Sequence, residues 1–304
     1  MSVIKKDIAI VGAGVSGLAL CLALQEDFQV ALIDPFEPQT TWPKDKPALR
    51  QSALNLSSKA LFEKLGVWDS IMDYHHGRYR SMHVWDHISG ADITMDASEV
   101  AESYLGYIIE NRVLCAALWQ HITAKSIEHP CCGVFGSKLD NITKVGECWQ
   151  LTTQDGVQIE APLVVAADGA RSWLRQELNF ASVSGSYEQS ALVALVEHQK
   201  PHTQCASQVF LPEGPLAFLP QHDPHYSSIV WTMEPEQAQR HLELSNDDFN
   251  QALSQAFSAQ LGACKLVGEK HNRGVFPLHY HHAKCYFKDQ VVLLADAGHQ
   301  IHPL

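Results

Sequence analysis

Short apolar runs that stop at a glycine or an aspartate recur along the chain. Residues 7–11, 29–33, 163–167 and 291–294 have the length and composition of buried parallel strands. The run after the first of these is also apolar, but it is longer and has the character of a helix covered by other elements. This succession of strand, helix and strand predicts an α/β fold with a parallel sheet.

A different pattern occupies the region from residue 183 to residue 271. Short β-rich runs broken by Pro, Gly and His predict strands of a mostly antiparallel sheet at residues 191–196, 207–211, 216–219 and 227–233. Ser245 then caps a helix in which Phe249 and Phe257 follow helical spacing. We expect such a sheet to form one wall of a pocket.

Composition narrows the class of protein. A chain of 304 residues with 46% hydrophobic content buries a large core and is expected to form two lobes. The net charge of -12 and the lack of a Lys/Arg-rich run argue against nucleic acid or an anionic membrane surface as a partner. Any contact with lipid would therefore be apolar.

Targeting signals and cysteine usage indicate a cytoplasmic protein. No run approaches the roughly 20 apolar residues that span a bilayer, and the first residues show no signal-peptide pattern. The eight cysteines lack CxxC or metal-ligand spacing, so we expect reduced thiols, with Cys131 and Cys132 as incidental loop residues. His279 and His281 share a strand face, but no acidic or cysteine ligand stands nearby, so no metal site is expected.

A glycine loop follows the first strand and carries the first chemical signal. Gly12 allows the tight turn, Gly14 lets a pyrophosphate approach the backbone, and Gly17 lets helix and strand pack closely. Asp34, at the end of the second strand, stands where a carboxylate accepts hydrogen bonds from a ribose. The sequence therefore predicts a dinucleotide site at the carboxyl edge of the sheet.

Two further strand ends decide between NAD and FAD, which the glycine loop alone leaves open. The third strand stops at Asp168-Gly169 and the fourth stops shortly before Asp296. A carboxylate at such a strand end can hold a ribityl hydroxyl of a flavin. These positions favour FAD.

The three segments at these strand ends also resemble a known family. GAGVSG at 12–17, AADGARSWLR at 166–175 and ADAGHQIHPL at 295–304 resemble the fingerprints of flavin-dependent aromatic hydroxylases of the para-hydroxybenzoate hydroxylase type. Within that superfamily, stretches at 49–55, 65–68, 105–111 and 274–278 resemble the ubiquinone-biosynthesis hydroxylases of the UbiH/UbiF/VisC group. Residues 82–86 and 228–231 look most like the VisC-type polyprenylphenol hydroxylase.

The resemblance implies a fold and a domain plan. It implies a Rossmann-like FAD-binding domain of the GR2, para-hydroxybenzoate hydroxylase type, with an inserted, mostly antiparallel β-sheet substrate domain. The FAD-binding domain would comprise residues 1–75, 100–182 and 272–304, and the substrate domain residues 76–99 and 183–271.

The resemblance also implies an activity. Reduced FAD would react with molecular oxygen and, through a flavin C4a-hydroperoxide, hydroxylate the ring of a polyprenylphenol or benzoquinol in ubiquinone biosynthesis. NAD(P)H or a reductase would supply electrons. A complex of ubiquinone-biosynthesis proteins and a peripheral contact with the inner membrane are further expectations.

The implied site residues fall into two groups, and no side chain is singled out as catalytic. The cofactor-binding residues are Gly12, Gly14, Gly17, Asp34, Arg50, Arg112, Asp168, Gly169, Asp296, His299 and Pro303. The residues of the substrate pocket are Leu216, Phe218, Pro220 and Trp231. Ordinary core packing is an equal alternative for Phe218, and Arg171 and Arg175 are expected to support the turn at Asp168.

Two departures from the family pattern stand in the third fingerprint and at the end of the chain. Ala295 and Gly298 replace the family's usual glycine and alanine, and an added methyl at Ala295 would crowd the ribityl chain. The family continues past the His-Pro-Leu of residues 302–304, so a truncated chain with weak FAD binding and little hydroxylase activity is expected. The alternatives are a non-catalytic scaffold of the same fold and a flavin-dependent prenyl reductase or halogenase, although the halogenase WxWxIP signature is absent.

Overall fold

The computed structural model describes residues 3–42, 48–125, 131–257 and 260–302. In these residues the chain forms four β-sheets with helices packed against them. The α-helices are Val15–Leu24, Leu56–Lys64, Trp68–Met72, Asn111–Lys125, Trp173–Glu177, Pro235–Glu243 and Asn246–Ala256, and the 3-10 helices are Ala97–Val100, Lys270–Asn272 and Ala295–Ala297. None of the helices in the described ranges has the length and apolar character needed to cross a membrane.

A six-stranded sheet carries the predicted strands of the first pattern. Its strand order is Phe287–Lys288, Val291–Leu293, Leu163–Ala166, Ile8–Val11, Val30–Asp34 and Cys132–Phe135. All neighbours pair in parallel except the first two strands. Cys132, which the sequence analysis placed in a loop, begins the edge strand, so that expectation is wrong for this residue.

The parallel strands are apolar along their whole length because both faces of the sheet are covered. One face packs against helices Val15–Leu24 and Asn111–Lys125 in a core that includes Ile10 and Leu32. The other face packs on a four-stranded sheet with the order Ile4–Lys5, Gln158–Ala161, Cys148–Thr153 and Leu139–Val145. The result is a helix layer, a parallel sheet and a second sheet.

The second predicted pattern forms a nine-stranded sheet that is mostly antiparallel, as expected. Its order is His299–Gln300, Arg273–Ala283, Ser182–His198, Tyr226–Met233, Gly214–Pro220, Cys205–Leu211, Ser81–Asp86 and Asp92–Asp96, with Cys264–Leu266 paired to Ser182–His198. Helix Asn246–Ala256 begins after Ser245, whose hydroxyl accepts a hydrogen bond from the amide of Asp248, as the sequence predicts.

A small sheet of Gln51–Asn55, Gly106–Glu110 and Gly77–Tyr79 lies beside the nine-stranded sheet. The side-chain amides of Gln51 and Gln221 donate hydrogen bonds to each other across this boundary, at 3.3 and 2.9 Å. Strand Arg273–Ala283, within the segment 272–304 that was expected in the FAD-binding domain, pairs with Ser182–His198. The domain limits themselves stay a prediction.

Candidate cofactor site

A cavity of about 740 Å³ opens at the carboxyl ends of the parallel strands. Because strands Ile8–Val11, Leu163–Ala166 and Val291–Leu293 run in the same direction, the segments that follow them meet at one edge. The sequence-predicted residues that line this cavity are Gly12, Gly14, Asp34, Arg50, Asp168, Gly169 and Asp296. The three fingerprints therefore converge on one site.

The glycine loop is shaped by backbone contacts. Gly12 has φ +111°, and a Cβ atom there would overlap the backbone of Ala167, which belongs to the second fingerprint. A Cβ atom at Gly17 would overlap the carbonyl oxygen of Gly12. At Gly14, the N-cap of helix Val15–Leu24, the space where a Cβ would stand has no atom within 4 Å. The loop is thus closely packed on the protein side and open where a pyrophosphate would lie.

Asp34 holds the loop from the next strand. Its Oδ2 accepts a hydrogen bond of 2.8 Å from the amide of Ala13, and its Oδ1 accepts one of 2.8 Å from the amide of Phe36. Each carboxylate oxygen has a second lone pair. Asp34 can therefore brace the glycine loop and still accept a ribose hydroxyl.

Asp168 carries the clearest sign of a missing partner. Its Oδ2 accepts a hydrogen bond of 2.8 Å from the amide of Trp173, at the start of helix Trp173–Glu177. Its Oδ1 is buried and has no hydrogen-bond partner among the described residues. Burial raises the pKa of this carboxyl group. A buried acceptor without a partner at a cavity wall fits a hydroxyl-bearing ligand.

Arg175 ties the second and third fingerprints together. Its side chain is buried, with 7% exposure, and one guanidinium nitrogen donates to the carbonyl of Ala297 at 2.9 Å. The other donates to the carbonyl of Ala170 at 2.7 Å. Burial lowers the pKa of this arginine. The planar fork thus holds two loops that line one cavity.

The structure explains one of the two sequence departures in the third fingerprint and shows strain at the other. Ala295 has φ +53°, a left-handed conformation that favours glycine, so the methyl group there is strained. Gly298 has an ordinary φ of -92°, but a Cβ atom would approach the ring of Tyr286 to 2.5 Å. Tyr286 therefore explains the glycine at this position.

Residues in and beside the small three-stranded sheet form one wall of the cavity, and the sequence predicted only one of them, Arg50. Arg50 lines the cavity as predicted, and its carbonyl accepts a hydrogen bond from the amide of Asn111. Ser52 and Asn111 also line it, with the Ser52 hydroxyl donating to Asn111 Oδ1 at 2.7 Å. Lys138 and Arg171 add positive charge to the lining. Ser52, Asn111 and Lys138 are far apart in sequence and gave no local signal that they share a site.

Three predicted cofactor residues lie outside the cavity lining. Gly17 acts through packing beneath the loop, as its predicted role requires. Arg112 donates to Glu110 at 2.5 Å and lies over the ring of Trp42. His299 is exposed, on a short strand that pairs with Arg273–Ala283. Pro303 falls outside the described residues.

The predicted substrate residues need a correction. Leu216, Phe218 and Trp231 belong to the buried core between the nine-stranded sheet and helix Asn246–Ala256, and Phe218 stacks on Phe257 at 3.8 Å. Pro220 shares their strand face and is also buried. Strand alternation directs these side chains to the face that the helices cover. Core packing, the alternative left open for Phe218, describes where they lie.

The residues present fit FAD. The open backbone at Gly14 and the helix N-terminus behind it suit a pyrophosphate, and Asp34 suits a ribose. The unpartnered Asp168 Oδ1 and the carboxylate of Asp296 suit the hydroxyls of the ribityl chain. The size of the cavity falls within the ordinary range for cofactor sites.

Comparisons with known proteins agree with this geometry. The family described as FAD binding domain matches residues 5–304. The chain is 34% identical to 3-demethoxyubiquinol 3-hydroxylase of Escherichia coli K12, over 98% of this chain and 74% of the relative. It is 29% identical to the mitochondrial ubiquinone biosynthesis monooxygenase COQ6 of Danio rerio, over 98% of this chain and 70% of the relative.

A solved structure shows the same fold. The crystal structure of PqsL, described as a probable FAD-dependent monooxygenase from Pseudomonas aeruginosa, aligns with a TM-score of 0.77 at 18% identity. The alignment covers 98% of this chain and 80% of that one. The predicted fold class and the predicted cofactor, FAD, are confirmed.

Proposed function

The chain belongs to the FAD binding domain family of hydroxylases and monooxygenases, and we propose that its substrate is a polyprenylated phenol or quinol of ubiquinone biosynthesis. The observation that carries this proposal is the cavity where the glycine loop and three strand-end carboxylates meet. The named functions of the E. coli and Danio rerio relatives support the choice of substrate.

The protein's task at this site is to bind and orient. Gly14 and the N-terminus of helix Val15–Leu24 would hold the pyrophosphate, Asp34 the ribose, and Asp168 and Asp296 the ribityl chain. When bound, FAD supplies the redox chemistry by which molecular oxygen is activated for insertion into an electron-rich ring. This division of labour explains why the site needs no Ser-His-Asp type of triad.

The face of the nine-stranded sheet opposite the core of Phe218 comes close to the cavity through Leu49. Gly274, in strand Arg273–Ala283 of that sheet, lies close to the side chain of Leu49, which precedes the cavity residue Arg50. Gly274 is opposite Val193, and Val193 is opposite Val230. These side chains point away from the core that holds Phe218. We therefore place the aromatic ring of the substrate on this face.

One row of paired residues continues across that face and suits a polyprenyl tail. In strand order it runs through Gly274, Val193, Val230, Ala217, Gln208, Val84 and Ile93. At about 4.8 Å between strands, the row is about 29 Å long. Only Gln208 is polar, and Ile93 at the far end is 57% exposed. An extended apolar chain lying along the row would remove this surface from water.

The proposal is tested by the reaction itself. The FAD-loaded protein, a reductant and a short-tailed polyprenylphenol are incubated under isotopically labelled oxygen gas, and the product is analysed by mass spectrometry. We expect one labelled oxygen atom on the aromatic ring. Reduction and reoxidation of bound FAD without a hydroxylated product would contradict the proposed function and favour a scaffold.

The tail-binding row has a separate test. Val84→Asn places an amide in the far part of the row, away from the positions that would hold the ring, and should raise KM for a tailed substrate about tenfold. The same variant should leave KM unchanged for a phenol without a tail. Val145→Asn, at an exposed position on the four-stranded sheet, is the matched control. An equal effect on both substrates would contradict the tail-binding role.

Two finer expectations complete the proposal. Association with other ubiquinone-biosynthesis proteins is a prediction supported by the named pathway of the relatives. An apolar, peripheral contact with a membrane surface is a prediction supported by the tailed substrate and by the net charge of -12, which disfavours an electrostatic contact.

A further inference from the structure

Two cysteines that are far apart in sequence meet behind the glycine loop. The Sγ atoms of Cys21 and Cys131 lie 3.2 Å apart, although 110 residues separate them. Cys21 is fully buried in helix Val15–Leu24. Cys131 is half-buried and directly precedes strand Cys132–Phe135. Cys131 is therefore less buried than Cys21.

The surroundings distinguish the two thiols. The thiols of Cys21 and Cys131 share a hydrogen bond, and the charge of Lys6 and a backbone hydrogen bond with Leu32 also act on Cys131. Together these interactions lower the pKa of Cys131. The same hydrogen bond, together with burial, raises the pKa of Cys21. Cys131 is the better nucleophile, since the thiolate is the reactive form of cysteine.

We propose that Cys21 and Cys131 form an oxidisable dithiol that peroxides convert into a disulfide. The proposal stands on the proximity of the two sulfur atoms and on their unequal exposure, and it does not rest on the proposed function. It also differs from a bond between the adjacent Cys131 and Cys132, because the thiol in contact with Cys131 is that of Cys21.

The chemistry balances with hydrogen peroxide as the oxidant. The Cys131 thiolate attacks one peroxide oxygen, the O–O bond breaks, and a sulfenic acid forms as hydroxide leaves and takes up a proton. The sulfur of Cys21 then attacks the sulfur of Cys131. The S–S bond forms, the S–O bond breaks, and water leaves with the proton of the Cys21 thiol. Two thiols lose two electrons and one peroxide becomes two waters.

The disulfide would join the helix that carries the cofactor loop to the edge of the parallel sheet. It would close a loop of 110 residues in the unfolded chain. Because long loops lose the most freedom on closure, we expect the melting temperature to rise by about 5 °C or more. A rise requires that the bond form without distorting the native contacts.

The test uses the folded, reduced protein treated with hydrogen peroxide at a small molar excess. Non-reducing peptide mapping by mass spectrometry identifies the linked residues, and thermal unfolding is followed with and without reductant. Cys132→Ser is the matched control, since it removes a neighbouring thiol outside the pair. Cys131→Ser and Cys21→Ala remove the attacking and the resolving thiol.

We expect a Cys21–Cys131 cross-link in the wild type and in Cys132→Ser, a reductant-reversible rise in melting temperature, and no cross-link in Cys131→Ser. In Cys21→Ala, Cys131 should accumulate as a sulfenic acid that dimedone traps. A Cys131–Cys132 bond, or oxidation of the exposed Cys285 alone, would overturn the proposal.

Discussion

Replacement of Arg175 by methionine should loosen the site at the point where two fingerprints are joined. The guanidinium donates to the carbonyls of Ala170 and Ala297, which belong to different strand-end loops. Methionine keeps much of the side-chain volume but donates no hydrogen bond. Both loops line the cavity, through Gly169 and Asp296, so their separation should reach the cofactor.

The expected change in the free energy of unfolding is the balance of opposing contributions. Each hydrogen bond to a charged group contributes about 1.5–3 kcal/mol, and a buried carbonyl left without a partner costs about 1–3 kcal/mol. Removing a guanidinium that is only 7% exposed relieves part of its desolvation cost. We expect a net loss of about 2–4 kcal/mol. The melting temperature should fall by about 3–6 °C, and FAD affinity by about tenfold.

Thermal unfolding of the apoprotein and flavin fluorescence titration measure the two effects. Arg175→Lys should fall between wild type and Arg175→Met, because an ammonium lacks the planar fork that reaches both carbonyls. Arg171→Met, at an exposed position in the same loop, should leave the melting temperature unchanged within about 1 °C. Wild-type stability in Arg175→Met would refute the view that this arginine joins the loops.

Four other substitutions test single features of the cavity. Asp168→Asn should weaken FAD binding about 10-fold or more by removing a charged acceptor. Burial raises the pKa of Asp168 in the folded protein, so this carboxyl group ionises at a lower pH in the unfolded chain, near an ordinary pKa of about 4. As the pH rises above about 4, the wild-type apoprotein therefore loses stability that the Asn variant keeps. Parallel pH profiles of melting temperature for the two proteins would contradict this. Ala295→Gly should gain about 0.5–1 kcal/mol, since relief of a left-handed alanine exceeds the added freedom of the unfolded chain; calorimetry showing a loss would exclude strain at Ala295. Gly12→Ala should lower the free energy of unfolding by about 3 kcal/mol, because the added Cβ meets the Ala167 backbone. Gly14→Ala should unfold like wild type but bind FAD more weakly, because its Cβ would stand in the open space of the loop. Equal behaviour of the two alanine variants in unfolding and FAD titration would count against the loop geometry.

Apart from Arg50, which the family resemblance supplied, the predicted residues that line the cavity lie where a strand of the parallel sheet ends. Gly12, Asp34, Asp168 and Asp296 follow apolar runs whose burial on both faces makes them recognisable. Since parallel strands bring their carboxyl ends to one edge, local patterns were enough to place these residues together.

The parts that the sequence missed depend on pairing between distant segments. Ser52 and Asn111 reach the cavity because two strands of a separate small sheet pair with each other. The sequence also did not show which face of the nine-stranded sheet packs against the core. Phe218 and Ala217 are neighbours in sequence, and only the packing of helix Asn246–Ala256 decides which of them faces the core.

Contacts over long sequence separations had no signal at all. The meeting of Cys21 and Cys131 requires that helix Val15–Leu24 pack beside the start of an edge strand. The hydrogen bonds of Arg175 could be anticipated toward its own loop, but the partner at Ala297 comes from another strand end. Such contacts follow from the assembled layers and not from local spacing.

The most direct test of the account is a structure of the protein determined with FAD. The account predicts the pyrophosphate against the backbone of Gly14, the adenosine ribose at Asp34, and a ribityl hydroxyl within hydrogen-bond distance of Asp168 Oδ1. A dinucleotide bound elsewhere, or bound in this cavity with Asp34 and Asp168 both out of contact, would contradict it.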